Sequence, residues 1–221
     1  MKILRPKKEY NRKFEKQKIV LKVIMNIAFF DFDETLTKKD SFMLFMKWIS
    51  SGKKYLLGWV FVAYYFLLSA FYFISKQELK EKILTFYLGG MDQAEVKERA
   101  RQFTEEVFPK ILTRRAFQQL DFHKKAGDKI VIVSASLDLW LSPWCERNNF
   151  DLLCSEAEIK DGRITGKLVG NNCKGEEKVN RIRDSYELSA YEKIYVYGDS
   201  KHDLPMLRLG TISYSKWKLI K

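Results

Sequence analysis

Cysteine is scarce in this chain. The 221 residues contain three, Cys145, Cys154 and Cys173, an odd number with no metal-like spacing. That excludes a disulfide framework and a cysteine-zinc cluster, and leads to the expectation of a reducing compartment. The three thiols read as small buried hydrophobes. No internal repeat and no low-complexity segment occurs. The basic N-terminus is not followed by an apolar stretch with a cleavage site, so no secretory signal is expected and the cytoplasm is the expected location. Acidic residues are also in short supply: 28 Asp and Glu face 40 Lys and Arg, giving a net charge of +12. Much of the excess lies in residues 1–24, from Lys2 and Arg5 to Lys18 and Lys22. Such a balance favours polyanionic partners. No nucleic-acid-binding module follows the arm, so the expected partners are phosphorylated substrates or an anionic membrane, with no nucleic acid. Residues 1–24 either belong to the product or lie upstream of a start at Met25.

What is present is a set of apolar strands that end in chemistry. Ile27-Ala28-Phe29-Phe30 reads as a buried parallel strand, and Asp31-Phe32-Asp33-Glu34-Thr35-Leu36-Thr37 follows it directly. In an open α/β sheet, ligands bind beyond the carboxyl ends of the strands. Two carboxylates one residue apart repel unless a cation offsets them, so this loop suggests a magnesium site with a carboxylate nucleophile beside it. Lys129 to Ser136 forms a second β-branched strand ending in small hydroxyl residues, suited to a phosphate oxygen. Cys173-Lys174-Gly175-Glu176-Glu177-Lys178 opens a helix with a lysine, a point charge for a phosphate. Ile194-Tyr195-Val196-Tyr197-Gly198-Asp199 is a further strand with an acid at its end; Asp203 lies four residues on, before Pro205 in the first turn of a helix.

These four segments, in this order, resemble the haloacid dehalogenase superfamily of phosphohydrolases and its phosphoserine-phosphatase-like subgroup. The resemblance covers residues 26–215. It implies Asp31 as the nucleophile that becomes an aspartyl-phosphate. It implies Asp33 as general acid and then base, its pKa raised by its anionic neighbour. Thr35, Ser134, Ala135 and Lys174 are implied in phosphate binding, with Lys174 neutralising nucleophile and phosphate. A magnesium ion is implied on Asp31, the Asp33 carbonyl and Asp199, with Asp203 supporting it. Two positions depart from the pattern. Glu34 stands where many relatives have Gly, and His202 where phosphoserine phosphatases have Asn. His202 reads as a loop residue without a catalytic role, and His123 as structural or solvated.

The expected architecture is α/β: a Rossmann-like parallel sheet with helices on both faces, a β-hairpin extension and an inserted α-helical cap. Strands are expected near 26–31, 129–134, 152–154, 193–197 and 211–214. Helices are expected near 116–126, 138–148, 175–187 and 204–209. Asp161-Gly162 signals a tight hairpin turn. The boundaries read as a basic arm at 1–24, a core at 25–38 and 116–221, and a helical cap at 39–115. Within that cap, Tyr55 to Ile74 is uncharged and flanked by Lys53, Lys54 and Lys76. About twenty apolar residues suffice to cross a bilayer. A single crossing would separate Asp31 from Asp199, so the segment is expected to lie at an interface, to re-enter, or to be buried in the cap or a dimer. Membrane attachment is the favoured expectation, since a basic arm plus an apolar wedge gives two anchoring signals.

The leading functional expectation is therefore a magnesium-dependent phosphomonoester hydrolase acting on a lipid phosphate at the inner face of the cytoplasmic membrane. The apolar segment and the Asp199-Ser200-Lys201 stretch look similar to the phosphatidylglycerophosphatase C type of the superfamily. The alternative is a soluble phosphatase of small monoesters: phosphoserine-like, sugar or nucleotide. A catalytically silent polyanion-binding or membrane-binding relative is the non-enzyme alternative.

Overall fold

The computed structural model describes residues 25–50, 52–71 and 73–221. The basic arm at 1–24 lies outside the described residues. Ile27–Phe30 (β1), Lys129–Leu137 (β2), Asp151–Lys160 (β3), Arg163–Val169 (β4), Ile194–Gly198 (β5), Ile212–Ser215 (β6) and Lys218–Leu219 (β7) form one sheet in the order β4-β3-β2-β1-β5-β6-β7. The pairs from β3 to β6 are parallel, while β4 and β7 are antiparallel to their neighbours. This is a mainly parallel α/β sheet with an antiparallel hairpin extension. β1 is buried at every residue, as an apolar run between two parallel neighbours must be. Its faces separate two cores. Ala28 and Phe30 point to one that includes Trp140 and Phe45; Ile27 and Phe29 point to the other, with Val196 and Ile182. The β3–β4 turn carries Asp161 at φ 50° and Gly162 at φ 72°, the left-handed pair that a primed hairpin turn requires.

The helices are Ser41–Ile49 (α1), Gly52–Ala70 (α2), Lys76–Leu88 (α3), Gln93–Glu106 (α4), Phe108–Ile111 (α5), Arg114–Ala126 (α6), Asp138–Asn148 (α7), Glu176–Ser185 (α8) and Leu204–Leu207 (α9). Side-chain caps start several of them. Asp40 caps α1, Ser75 and Glu78 form a capping box on α3, and Thr113 caps α6. α1 to α5 fall between β1 and β2 in sequence, where the apolar side chains of α1, α3 and α4 join the core on the Phe30 side.

The apolar segment forms α2, and it is not buried. Gly58 packs on Tyr87, Phe61 stacks on Phe86 at 4.7 Å, and the Lys82 ammonium lies over the Tyr65 ring. Tyr55 and Val62 also pack on the core, while Leu56, Leu57, Trp59, Val60, Tyr64, Phe66 and Leu67 face outward, each at least half exposed. The expectation of a dry cap interior therefore gives way to an exposed apolar face. No helix among the described residues is long and apolar enough to cross a membrane. The contact at Gly58 leaves no room for a side chain, because an added Cβ would sit 1.8 Å from the Tyr87 hydroxyl. Gly58→Val is expected to lower stability by about 1–3 kcal/mol, the usual cost of overpacking. Denaturant titration beside Ala63→Val, an exposed position on the same helix, measures it.

His123 is fully buried on the inner face of α6. Its Nδ1 meets Asp128 Oδ2 at 2.7 Å and its Nε2 meets the Tyr197 hydroxyl at 3.0 Å. Burial holds its pKa below the ordinary histidine value, outweighing the opposing pull of Asp128. The unfolded chain then binds a proton that the folded chain resists. Stability is full above the ordinary histidine value of about 6.5 and falls as pH drops below it toward the folded value. Thermal midpoints measured from pH 7.5 to 5 should therefore fall more steeply for the wild type than for His123→Gln.

Candidate active site

The site forms where β1, β2 and β5 end side by side. Asp31 follows β1 and donates its backbone N–H to the Tyr197 carbonyl at 2.9 Å, which fixes the first acid against β5. The chain then turns sharply through Phe32–Leu36, with Glu34 at φ 63°. That left-handed geometry is one that glycine adopts without strain and a glutamate does not. Glu34 itself points out to solvent.

Asp31 is buried and held from two sides. Thr35 Oγ1 donates to its Oδ2 at 2.7 Å, and a lysine ammonium donates to its Oδ1 at 2.6 Å. That lysine is Lys178. It also donates to Asp203 Oδ1 at 2.6 Å, so one buried cation bridges two carboxylates. Burial opposes its charge, but Asp31 and then Asp203 outweigh burial and hold its pKa above the ordinary lysine value. Burial pushes the Asp31 carboxyl up, against the pull of Lys178. Asp203 is further fixed by Ser200, whose N–H and hydroxyl both donate to Oδ2, and its Cβ sits where only Gly198 leaves space.

The expectation for Lys174 is corrected here. Lys174 is exposed and precedes Gly175, the residue that caps α8, so its side chain starts outside the helix. Lys178 lies inside the first turns, on the same stripe as buried Ile182. Helix geometry thus carries residue 178 toward β1 and leaves 174 at the rim. A sequence signal existed: a lysine at i of an i, i+4 apolar pair is costly unless an acid meets it.

Asp33 follows a different logic. Its Oδ1 accepts the Ser41 backbone N–H at 2.6 Å and its Oδ2 accepts the Ser136 hydroxyl at 2.5 Å. Burial pushes its pKa up to about 7, with Asp40 adding to the rise. The cause is thus desolvation first, and the anionic neighbour is Asp40 instead of Asp31. A carboxyl so placed is partly protonated at neutral pH, which suits an acid that later acts as base. Ser136 and Ser41 share a 3.0 Å hydroxyl contact, and Trp140 Nε1 donates to Ser41 at 3.1 Å. Ser136 was visible only as one of the hydroxyl residues that end its strand, and Ser41 not at all, because the fold brings the two together across 95 residues. Ser134 is buried, and its Oγ accepts the Ser136 N–H at 2.9 Å. Its hydroxyl proton remains available to an anion. Ala135 lies between these two serines.

Asp199 is half-buried at the end of β5, with Oδ1 accepting the Lys216 N–H at 2.6 Å. Burial raises its pKa, and Asp203 and Glu34 add to the rise against the Lys216 contact. Among the described residues no three His, Cys, Asp or Glu side chains converge closely enough to hold a metal on their own. Magnesium needs fewer, since it keeps several waters and takes one or two carboxylates. Asp31 and Asp199, at the ends of the adjacent strands β1 and β5, fit that requirement. Each Asp31 oxygen has one hydrogen bond and retains a lone pair. His202 makes no side-chain hydrogen bond among the described residues, its backbone N–H bonding Ser200.

Residues 28–208 match the family of haloacid dehalogenase-like hydrolases. The chain belongs to that family. It is 36% identical over 191 residues to protein CicA of Caulobacter vibrioides, covering 82% of this chain and 81% of CicA. It is 29% identical over 187 residues to a probable phosphatase of Mycobacterium tuberculosis, covering 81% of this chain and 64% of that one. A structure described as a phospho-aspartyl intermediate analogue of phosphoserine phosphatase superposes with a TM-score of 0.59. The sequence identity there is 16%, over 86% of this chain and 85% of the other, a likeness of fold. The enzyme is a phosphatase of the haloacid dehalogenase type.

Proposed function

We propose that the enzyme hydrolyses a small phosphate monoester through phosphorylated Asp31, with magnesium as its cofactor. The observation that carries this reading is the Lys178 ammonium held 2.6 Å from both Asp31 and Asp203, beside an acid with a pKa near 7. A dianionic phosphate approaches a carboxylate only where positive charge offsets the repulsion, and phosphoryl transfer depends on such positioning and neutralisation. Asp31, the Asp33 carbonyl and Asp199 would hold the magnesium, which would supply further positive charge beside the phosphate.

The remaining steps belong to the protein. Asp31 Oδ attacks phosphorus while the ester bond breaks. The departing oxygen takes the proton of Asp33, so the alcohol leaves neutral. Ser134 donates to a phosphoryl oxygen, while the Thr35 hydroxyl holds the nucleophile itself in place. Asp33, now ionised, takes a proton from water as that water attacks phosphorus. The Asp31–phosphorus bond breaks and inorganic phosphate is released. Splitting one displacement into two lowers each barrier. The inserted helices α1 to α5, spanning most of residues 39–115, serve as a cap that excludes water. Cys145, Cys154 and Cys173, all outside those helices, are buried and unpaired, which suits a reducing compartment.

The substrate class we favour is a soluble monoester, phosphoserine-like, sugar or nucleotide. It is supported by the likeness of fold to phosphoserine phosphatase and by the relative named a probable phosphatase. A second reading rests on the exposed apolar face of α2, flanked by exposed Lys53 and Lys76. Such a face suits an anionic lipid surface, and the substrate would then be a lipid phosphomonoester of the phosphatidylglycerophosphate kind. Phosphate release with and without Mg²⁺, from soluble monoesters and from lipid phosphates in vesicles, separates the two. The expected result is Mg²⁺-dependent turnover that favours a soluble monoester. A large preference for vesicle-borne lipid phosphate would replace it with the second reading, and no release from any monoester would overturn both.

A further inference from the structure

Lys80 sits on α3, among the inserted helices, yet its ammonium reaches the core. It donates to the carbonyl of Ala135 and, at 2.9 Å, to Oδ1 of Asn172. The Phe42 ring lies beneath it at 5.6 Å. All these partners are neutral. Among the described residues no carboxylate comes within ion-pair distance of Lys80, unlike Lys178 with its two. Lys80 is partly buried, and burial draws its pKa down to about 8. A desolvated cation held only by neutral acceptors is an unfavourable arrangement, and an ammonium has three donors of which two are used here. The place is informative. Ala135 lies between Ser134 and Ser136, and the Ser136 hydroxyl is bonded to Asp33. Lys80 thus holds the residue next to Ser136, the serine bonded to the acid proposed to protonate the leaving oxygen.

We propose that Lys80 is a substrate-binding and specificity-determining residue, which takes an oxyanion of the bound monoester from the cap side of the site. This deepens the phosphatase reading and rests on it. The oxyanion belongs either to the phosphoryl group or to an anionic leaving group, and the same cation serves both. A leaving group of net positive charge, such as ethanolamine, is selected against, since it would face Lys80 in a poorly screened space.

A purely structural role is a real rival, because α3 is also clasped to the core by its neighbour Gln77. Its Nε2 donates to Gly170 O at 3.1 Å and its Oε1 accepts the Asn172 N–H at 3.1 Å. The test sets Lys80→Met and Lys80→Arg beside Gln77→Ala, which loosens the same clasp without removing charge. Three substrates are compared in Mg²⁺: para-nitrophenyl phosphate, phosphoserine and phosphoethanolamine. Binding of inorganic phosphate by calorimetry is measured in parallel. Lys80→Met should lose about ten- to a hundredfold in kcat/KM, mainly through KM, the range for a hydrogen bond to a charged group. Lys80→Arg should recover most of it, and Gln77→Ala should stay within about threefold of wild type on the same scale. An equal loss on all substrates and on phosphate assigns the contact to the phosphoryl group; a loss confined to phosphoserine assigns it to the leaving-group carboxylate. The proposal is overturned if Lys80→Met turns over all three like wild type, or if Gln77→Ala reproduces its loss. If the wild type itself hydrolyses none of them and binds no phosphate, the phosphatase reading fails instead.

Discussion

Asp31→Asn is expected to reduce turnover by at least about a thousandfold while leaving the fold intact, because a nucleophile's removal has no substitute in the site. The amide is nearly the same size as the carboxylate, and its oxygen still accepts from Lys178. The cation keeps Asp203 as a partner at 2.6 Å, so the pocket is not left with a bare buried charge. Circular dichroism and the thermal midpoint should therefore stay close to wild type while phosphate release vanishes. Retention of more than a small fraction of the rate would place the nucleophile elsewhere.

Lys178→Met should have the largest combined effect on activity and stability. Lys178, Asp31 and Asp203 are all buried, and removing one partner of such a cluster leaves uncompensated charge at a cost of about 3–5 kcal/mol. Activity should fall as steeply as for Asp31→Asn, since two acids then repel the incoming phosphate without an amine between them. Lys174→Met is the informative comparison. It lies on the exposed rim, and surface substitutions stay within about 0.5 kcal/mol. Denaturant titration together with kcat/KM for the two variants reads both effects. Loss of activity in Lys174→Met with a near-normal Lys178→Met would reverse the lysine assignment.

The contrast between these lysines marks how far the sequence could be read. The strands were legible because Ile27–Phe30 and Ile194–Gly198 are short apolar runs that stop at acids, a pattern set by burial alone. The hairpin was legible because Asp161-Gly162 needs a left-handed turn and little else. Asp31 and Asp33 were visible through local spacing, and so was Asp199. Lys178 was harder, because its role depends on which face of α8 meets the sheet. Ser41 carried no local sign, and Ser136 only that of a hydroxyl ending a strand; their pairing with Asp33 comes from the packing of α1 against the end of β2. The apolar segment was legible as composition but not as placement. The chain packs it by one stripe, through Gly58 and Phe61, and leaves the rest facing out.

The inserted helices connect these elements to function. α3 touches the β3–β4 hairpin through Glu81, which accepts from Leu168 N and Lys167 Nζ, and touches the pre-α8 loop through Gln77 and Lys80. One helix thus contacts two core segments and carries the exposed α2 on its back.

The most direct test of the central claim is to quench the enzyme in acid during turnover and map the phosphorylated peptide by mass spectrometry. The account predicts a hydroxylamine-labile phosphoryl group on Asp31, absent from Asp31→Asn. A phosphoryl group on any other residue, or steady turnover with no covalent adduct detectable under conditions that slow the water step, would contradict it.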